Sequence, residues 1–315
     1  MLPIDLRGRR ALVVGVSDGV GFGFQIARCL AQAGASVCLG SWPPVMTVFE
    51  QLLERGKLDE ARRLSGGELF TPERLYAVDV GYDHFTDIPA EIVTDRRFVG
   101  RGDFSVDGLA SQLIRDFGEQ PLDILIHAVG NAPEVKRPLL ETSRRGYLAA
   151  LGNSAYSWVS LIARLGPHFR PASSATTLSY LAGERVVPGY GGGMSSAKAA
   201  LESDTRTLAF EAGRRYGLRV NAVSAGPYRS RAAAAIGIID DLIDYSRQNA
   251  PLPEDVSGEE VAASVAFLSS ALASGITGTT LYVDKGLHAM ARAVPAPAAR
   301  ADDRGSNPPP KQDAG

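Results

Sequence analysis

Cysteine is scarce: Cys29 and Cys38 are the only two in 315 residues. That excludes a small disulfide-stapled scaffold and favours a reducing compartment. The two Cys and four His show no zinc-like spacing, so no metal site is expected. No run of about 18 apolar residues occurs, so no membrane span is expected. An excess of one charge is also missing. The 33 basic and 35 acidic residues leave a formal net charge of −2, and the largest basic cluster is the short Arg7-Gly-Arg-Arg10. Nucleic-acid binding needs a clustered basic surface and is not expected. The start, Met1 to Gly8, has neither a signal-peptide nor a transit-peptide pattern. There is no internal repeat, and there is no Gly-x-Gly-x-x-Gly.

Apolar residues make up 45% of the chain, enough for a sizeable core. Arg10 to Gly15 reads as a short buried strand. A loose glycine set follows, Gly15, Gly19, Gly21 and Gly23, then a helical pattern from Gln25 to Ala33 and a second strand, Ser36 to Gly40. Strand, glycine turn, helix and strand make a nucleotide-binding βαβ unit. Glycines let a diphosphate approach the backbone, and the helix N-terminus offers N–H donors. A helix is expected over Val45–Arg55, a third strand over Leu75–Val80 and a helix over Asp107–Phe117. A fourth strand, Leu122–Ala128, is almost wholly apolar, as in a parallel sheet buried on both faces. Leu139–Leu165 is helical material. Further strands are expected at Ala175–Tyr180, Leu218–Ser224 and Thr279–Asp284. Arg231–Tyr245 reads as one helical run flapping over the cleft, and Glu259–Leu268 as a helix. The fold class is α/β: one doubly wound Rossmann-like domain over residues 1–290, with a mostly parallel sheet and helices on both faces. Residues 291–315 form a Pro/Ala-rich tail expected to be disordered.

The cofactor is set where the second strand ends. An acid there binds a ribose hydroxyl, and an arginine accommodates a 2′-phosphate. This chain has Ser41 and Trp42, and no Lys or Arg from Ser36 to Thr47, which favours NADH over NADPH. Trp42 reads either as a partner of the adenosine or as a core residue. Asp79, closing the third strand, reads either as an adenine ligand or as a turn cap.

The chain is organised around Ser179–Ala200. Tyr180 and Tyr190 precede Lys198, with Gly191, Gly192 and Gly193 between. Tyr190 and Lys198 are eight residues apart, about 12 Å along a straight helix. Three successive glycines disfavour such a helix by about 1 kcal/mol each. A flexible turn folding Tyr190 over the start of a Ser195–Tyr216 helix, capped by Ser195 or Ser196, brings phenol and ammonium to one cleft. The plain alternative is a glycine loop joining a strand to a surface helix.

These stretches carry a resemblance. Pro3–Gly8, Pro138–Ala150, Pro188–Asp204 and Ser224–Pro227 resemble the enoyl-acyl-carrier-protein reductases of type II fatty-acid synthesis, a branch of the short-chain dehydrogenase/reductases. The plastid form of plants and apicomplexans is the most similar. The likeness spans about Leu2 to Met290, and Pro188–Asp204 is its most specific part. It implies that Tyr190 hydrogen-bonds the thioester carbonyl, that Lys198 holds the nicotinamide ribose, and that Tyr180 supports Tyr190. It also implies that Gly15, Phe22, Trp42, Asp79, Val80, Ala128, Val129, Ala225, Gly226 and Pro227 contact NAD, and that Ala132 lines the substrate pocket. The implied partners are an acyl-carrier protein bearing an enoyl thioester and three further copies of the chain, in a plastid. Three positions depart from the plastid pattern. Gly-Tyr-Gly-Trp is here Gly21-Phe-Gly-Phe24, His-Ser-Leu-Ala-Asn-Gly is His127–Ala132, and Tyr228 stands where Leu is common.

Two other readings share these residues. A carbonyl-reducing member of the superfamily, such as a 3-oxoacyl reductase, places its tyrosine four residues before the lysine, where this chain has Met194. A dinucleotide-binding sensor without turnover fits the altered loops at Phe22 and Ala128.

Overall fold

The computed structural model describes residues 4–234 and 237–294. From residue 295 onward the expected tail lies outside them. In chain order the elements are β1 (Arg10–Val14), α1 (Phe22–Gln32), β2 (Ser36–Ser41), α2 (Pro43–Glu54), β3 (Arg74–Ala77), the short α3 (Ala90–Val93), α4 (Val106–Phe117) and β4 (Leu122–His127). Then follow α5 (Arg144–Leu151), α6 (Ser157–Leu165), β5 (Phe169–Ser179), α7 (Met194–Tyr216), β6 (Arg219–Ala225), α8 (Arg231–Ala234), α9 (Ile239–Asn249), α10 (Gly258–Ser269) and β7 (Thr280–Val283).

The strands form one seven-stranded sheet in the order β3-β2-β1-β4-β5-β6-β7. Every pairing is parallel, so "mostly parallel" becomes wholly parallel among the described strands. Side chains alternate across it. Val13 and Ile126 join Phe24, Leu30, Val261 and Val265 in the core on the α1/α10 face. Leu12 and Leu125 join Leu113, Trp158 and Leu161 on the α4/α6 face. Two buried faces explain the largely apolar runs of β1 and β4. Side-chain caps mark several helix starts. Ser105 accepts from Gly108 N at 3.1 Å, and Ser257 with Glu260 forms a capping box opening α10.

The Leu139–Leu165 stretch is helical material as expected, with α5 and α6 joined by a π-helical turn, Gly152–Tyr156. Three expectations change. The β5 strand starts at Phe169, earlier than Ala175, because Phe169 and Ser174 pair with Leu122 and Ile124 of β4 across a register irregularity. The Arg231–Tyr245 run is two helices, α8 and α9, and Gly237 between them adopts a φ of +88°. At α7 the cap is Gly193, with no side-chain hydrogen bond, so neither Ser195 nor Ser196 fills that role.

Candidate functional site

Because β2 lies on one side of β1 and β4 on the other, the chain reverses direction across the sheet there, and a crevice opens at the carboxyl ends. A cavity of about 790 Å³ occupies it, reaching from the glycine loop to α9. The loop backbone leaves no room for side chains. A Cβ on Gly15, whose φ is +102°, would stand 2.4 Å from the carbonyl oxygen of Ala128. The Asp18 carboxylate holds the turn, accepting from Val20 N at 2.9 Å and Gly21 N at 2.7 Å.

The opposite wall carries the tyrosines and the lysine. Tyr180 follows β5 directly, and its ring meets Tyr190 edge-on, centroids 5.1 Å apart. Lys198 lies one turn into α7, buried, and donates to the Leu178 carbonyl at 2.9 Å. Both tyrosines and Lys198 line the same cavity. The three glycines between them act by close approach rather than by flexibility. Gly191 N donates to Val135 O at 3.0 Å and Gly192 N to Arg137 O at 2.9 Å. A Cβ on Gly191 would sit 2.0 Å from Arg137 O, one on Gly192 2.4 Å from the Glu134 carbonyl, and one on Gly193 2.9 Å from the Tyr147 ring. Gly192 and Gly193 also hold φ values of +61° and +84°, which L side chains rarely adopt. Ser195, instead of capping the helix, donates its hydroxyl to Tyr190 O at 3.3 Å.

Burial sets the electrostatics. Desolvation pushes the Lys198 ammonium down to about 8, with the Glu202 carboxylate working the other way. Desolvation pushes Tyr180 up to about 12, helped by Asp284, and raises Tyr190 further, with Tyr180 adding to it. Both phenols therefore stay protonated at neutral pH. His127, wholly buried at the end of β4, is pushed down to about 3 by desolvation and by Lys198, so it is neutral. Ser157 donates to Asn153 O, so it accepts from His127 Nε2 at 2.9 Å, and Nδ1 accepts from Thr177 at 2.7 Å.

The cavity gathers Gly15, Phe22, Ala128, Val129 and Ala132 with Tyr180, Tyr190 and Lys198, and also Ala225, Gly226 and Pro227. It does not include Trp42, Asp79 or Val80. Trp42 is not a core residue but 46% exposed. Its indole donates to Asp79 Oδ2 at 2.8 Å, while Gly81 N takes Oδ1 at 3.0 Å. Val80 packs against the α4/α6-face core.

Comparison with known proteins gives the family. The family described as enoyl-(acyl carrier protein) reductase matches residues 101–288. The chain is 50% identical over 94% of its length to the chloroplastic enoyl-(acyl-carrier-protein) reductase (NADH) of Arabidopsis thaliana, covering 75% of that protein. It is 52% identical over 94% of its length to a chloroplastic counterpart of Oryza sativa subsp. japonica, covering 78% of it. The chain belongs to the enoyl-(acyl-carrier-protein) reductases. Among solved members of this family, the Plasmodium berghei enoyl-acyl-carrier-protein reductase with triclosan superposes with a TM-score of 0.87 at 40% identity, covering 90% of this chain and 98% of that one. The Anaplasma phagocytophilum reductase in complex with NAD superposes with a TM-score of 0.73 at 26% identity, covering 93% and 96%.

In this reductase, sequence reasoning missed the residues that hold the site from behind. The π-helical turn presents Ser154 to the loop after β4, where its hydroxyl accepts from Asn131 N at 2.9 Å and lies 3.0 Å from Asn131 O. Buried Glu202, one turn beyond Lys198, accepts a hydrogen bond from the Ser179 hydroxyl and so ties the β5 end to α7. No periodicity signals a π turn, and Glu202 reads as an ordinary helix-surface acid. Among the described residues no helix is long and apolar enough to cross a membrane, and no group of three or more His, Cys, Asp or Glu is placed to hold a metal.

Proposed function

We propose that the protein reduces trans-2-enoyl thioesters carried on acyl-carrier protein, using NADH. The observation that carries this reading is a pair of half-buried phenols and a buried ammonium on one wall of a cavity whose other wall is a glycine loop. The residues suit a dinucleotide. Gly15 and Gly23 leave the backbone bare, and α1 opens toward the cavity without a side-chain cap. Lys198 Nζ has the Leu178 carbonyl as its one protein acceptor among the described residues, which leaves donors for ribose hydroxyls.

Bound NADH supplies hydride to C3 of the enoyl thioester. Negative charge then develops on the thioester oxygen, the Tyr190 hydroxyl donates a hydrogen bond to it, and a proton taken up from solvent at C2 completes the saturated thioester. That donor strengthens as charge grows, so it lowers the barrier more than it aids binding. Tyr180, edge-on to Tyr190, fixes the ring's direction. Lys198 would hold the ribose hydroxyls, and its ammonium adds positive charge to the cavity it lines. Ala132, packed with Met194 and Tyr190, shapes the acyl pocket. Ile239 and Leu242 of α9 also line the cavity, which suits the flap role, where they cover the acyl chain and exclude water.

Met194, four residues before Lys198, has no acidic proton, which disfavours carbonyl reduction. Trp42, Asp79 and Val80 lie at the ends of β2 and β3, where the adenosine half would extend. The protein works as a homotetramer in a plastid. The exposed Phe210 of α7 (66% accessible) and the open edge of β7 suit assembly, and relatives named chloroplastic suit the compartment. The test is loss of NADH absorbance with crotonyl thioester. Turnover only with acetoacetyl thioester would identify a carbonyl reductase, and NADH binding without turnover would identify a sensor.

A further inference from the structure

Two aromatic residues from distant parts of the chain meet at the cavity rim, and both depart from the plastid pattern. Phe22 is the first residue of α1, and Tyr228 follows the turn after β6. Their rings stack with centroids 4.7 Å apart and planes 27° from parallel. The Tyr228 hydroxyl reaches past Phe22 and donates to the carbonyl of Val20 at 3.0 Å. A Cβ on Gly258, at the start of α10, would lie 3.2 Å from that hydroxyl, so the glycine there leaves it room. Both rings line the cavity.

The turn that Tyr228 grips is now held on both sides. Asp18 holds the N–H groups of Val20 and Gly21, and Tyr228 holds the Val20 carbonyl. A loop ordered before its ligand arrives gives up less freedom on binding, and affinity rises accordingly. A diphosphate approaching the N-terminus of α1 meets this turn first.

We propose that Tyr228 and Phe22 form an aromatic clasp that closes the glycine-loop end of the cavity and preorganises that loop for the diphosphate of NADH. Tyr228 acts as a positioning residue, and Phe22 is the ring it closes upon. The inference rests on the dinucleotide reading above.

The test measures NADH affinity by fluorescence titration in the full chain, and amide hydrogen exchange in the protein without cofactor. Tyr228→Leu should weaken NADH binding about ten-fold, the scale of one aromatic pair plus one hydrogen bond. Tyr228→Phe keeps the ring and removes only the hydroxyl, so it should lose about three-fold. In the protein alone, the amides of residues 19–21 should exchange faster in Tyr228→Leu, while those of β5 and β6 keep their protection. Phe22→Leu combined with Tyr228→Leu should cost less than the two single losses together, because each alone already opens the stack. Additive losses, or Tyr228→Leu affinity and loop exchange within about two-fold of the parent, would overturn the clasp. A parent protein that fails to bind NADH would overturn the dinucleotide reading itself, and the clasp with it.

Discussion

Replacing Lys198 with methionine should make the protein more stable while ruining its cofactor site. The ammonium is buried, 6% accessible, and desolvation has lowered its pKa from 10.5 to about 8. At about 1.4 kcal/mol per pH unit, that fall represents about 3 kcal/mol against the charged form below pH 8. Methionine fills a similar volume without charge. It gives up the hydrogen bond to Leu178 O, worth about 1 kcal/mol, so the expected gain is about 2 kcal/mol at pH 7. The pH dependence gives the sign independently. Between about 8 and 10.5 the unfolded chain binds the proton that the folded chain has lost, so this group makes parent stability rise with pH. The rise is absent below that window and complete above it, and Lys198→Met should lack it. Urea unfolding across that range measures both quantities, and NADH fluorescence titration should show binding weakened in the variant. A variant less stable than the parent at pH 7, or one that keeps the rise, would refute the argument.

Tyr190→Phe should lower kcat about a hundred- to a thousand-fold while the NADH dissociation constant stays close to that of the parent. An equal loss of cofactor binding would contradict a donor used in the transition state. Gly192→Ala forces a side chain onto the Glu134 carbonyl at a left-handed φ and should cost about 2–4 kcal/mol, read as a lowered urea midpoint together with lost turnover. NADPH should bind at least about ten-fold more weakly than NADH at low salt, because the Asp79 carboxylate stands at the β3 end and Ser36–Thr47 carries no cation; equal affinities in parallel titrations would sink this. Phe210→Glu should reduce the assembly mass measured by light scattering, and an unchanged tetramer would remove α7 from the interface.

Much of the fold was legible because buried parallel strands write themselves as short apolar runs. The β1, β2 and β4 strands were placed within a residue or two of their observed ends. Breaks inside helical stretches were harder to read. The π turn at Gly152–Tyr156 carries the weak helix formers Gly152, Asn153 and Ser154, which mark a soft point but not its geometry, and the division of Arg231–Tyr245 shows only as Gly237. At the site, the spacing of Tyr190, the glycines and Lys198 pointed to a turn, but its rigidity comes from residues 134–137, far away in sequence. The same limit applies to Trp42 and Asp79. Their indole–carboxylate contact joins the ends of two strands, and no local pattern announces it.

The glycine clamp also bears on how this enzyme can be redesigned. Tyr190 is registered by the main-chain contacts of the glycines after it to residues 134–137, with Ser195 of the following helix adding one hydrogen bond to its carbonyl. Libraries that vary side chains at 134–137 while sparing their carbonyls will reshape one wall of the cavity without breaking the main-chain contacts that register Tyr190. Insertions of even a single residue there will misalign it.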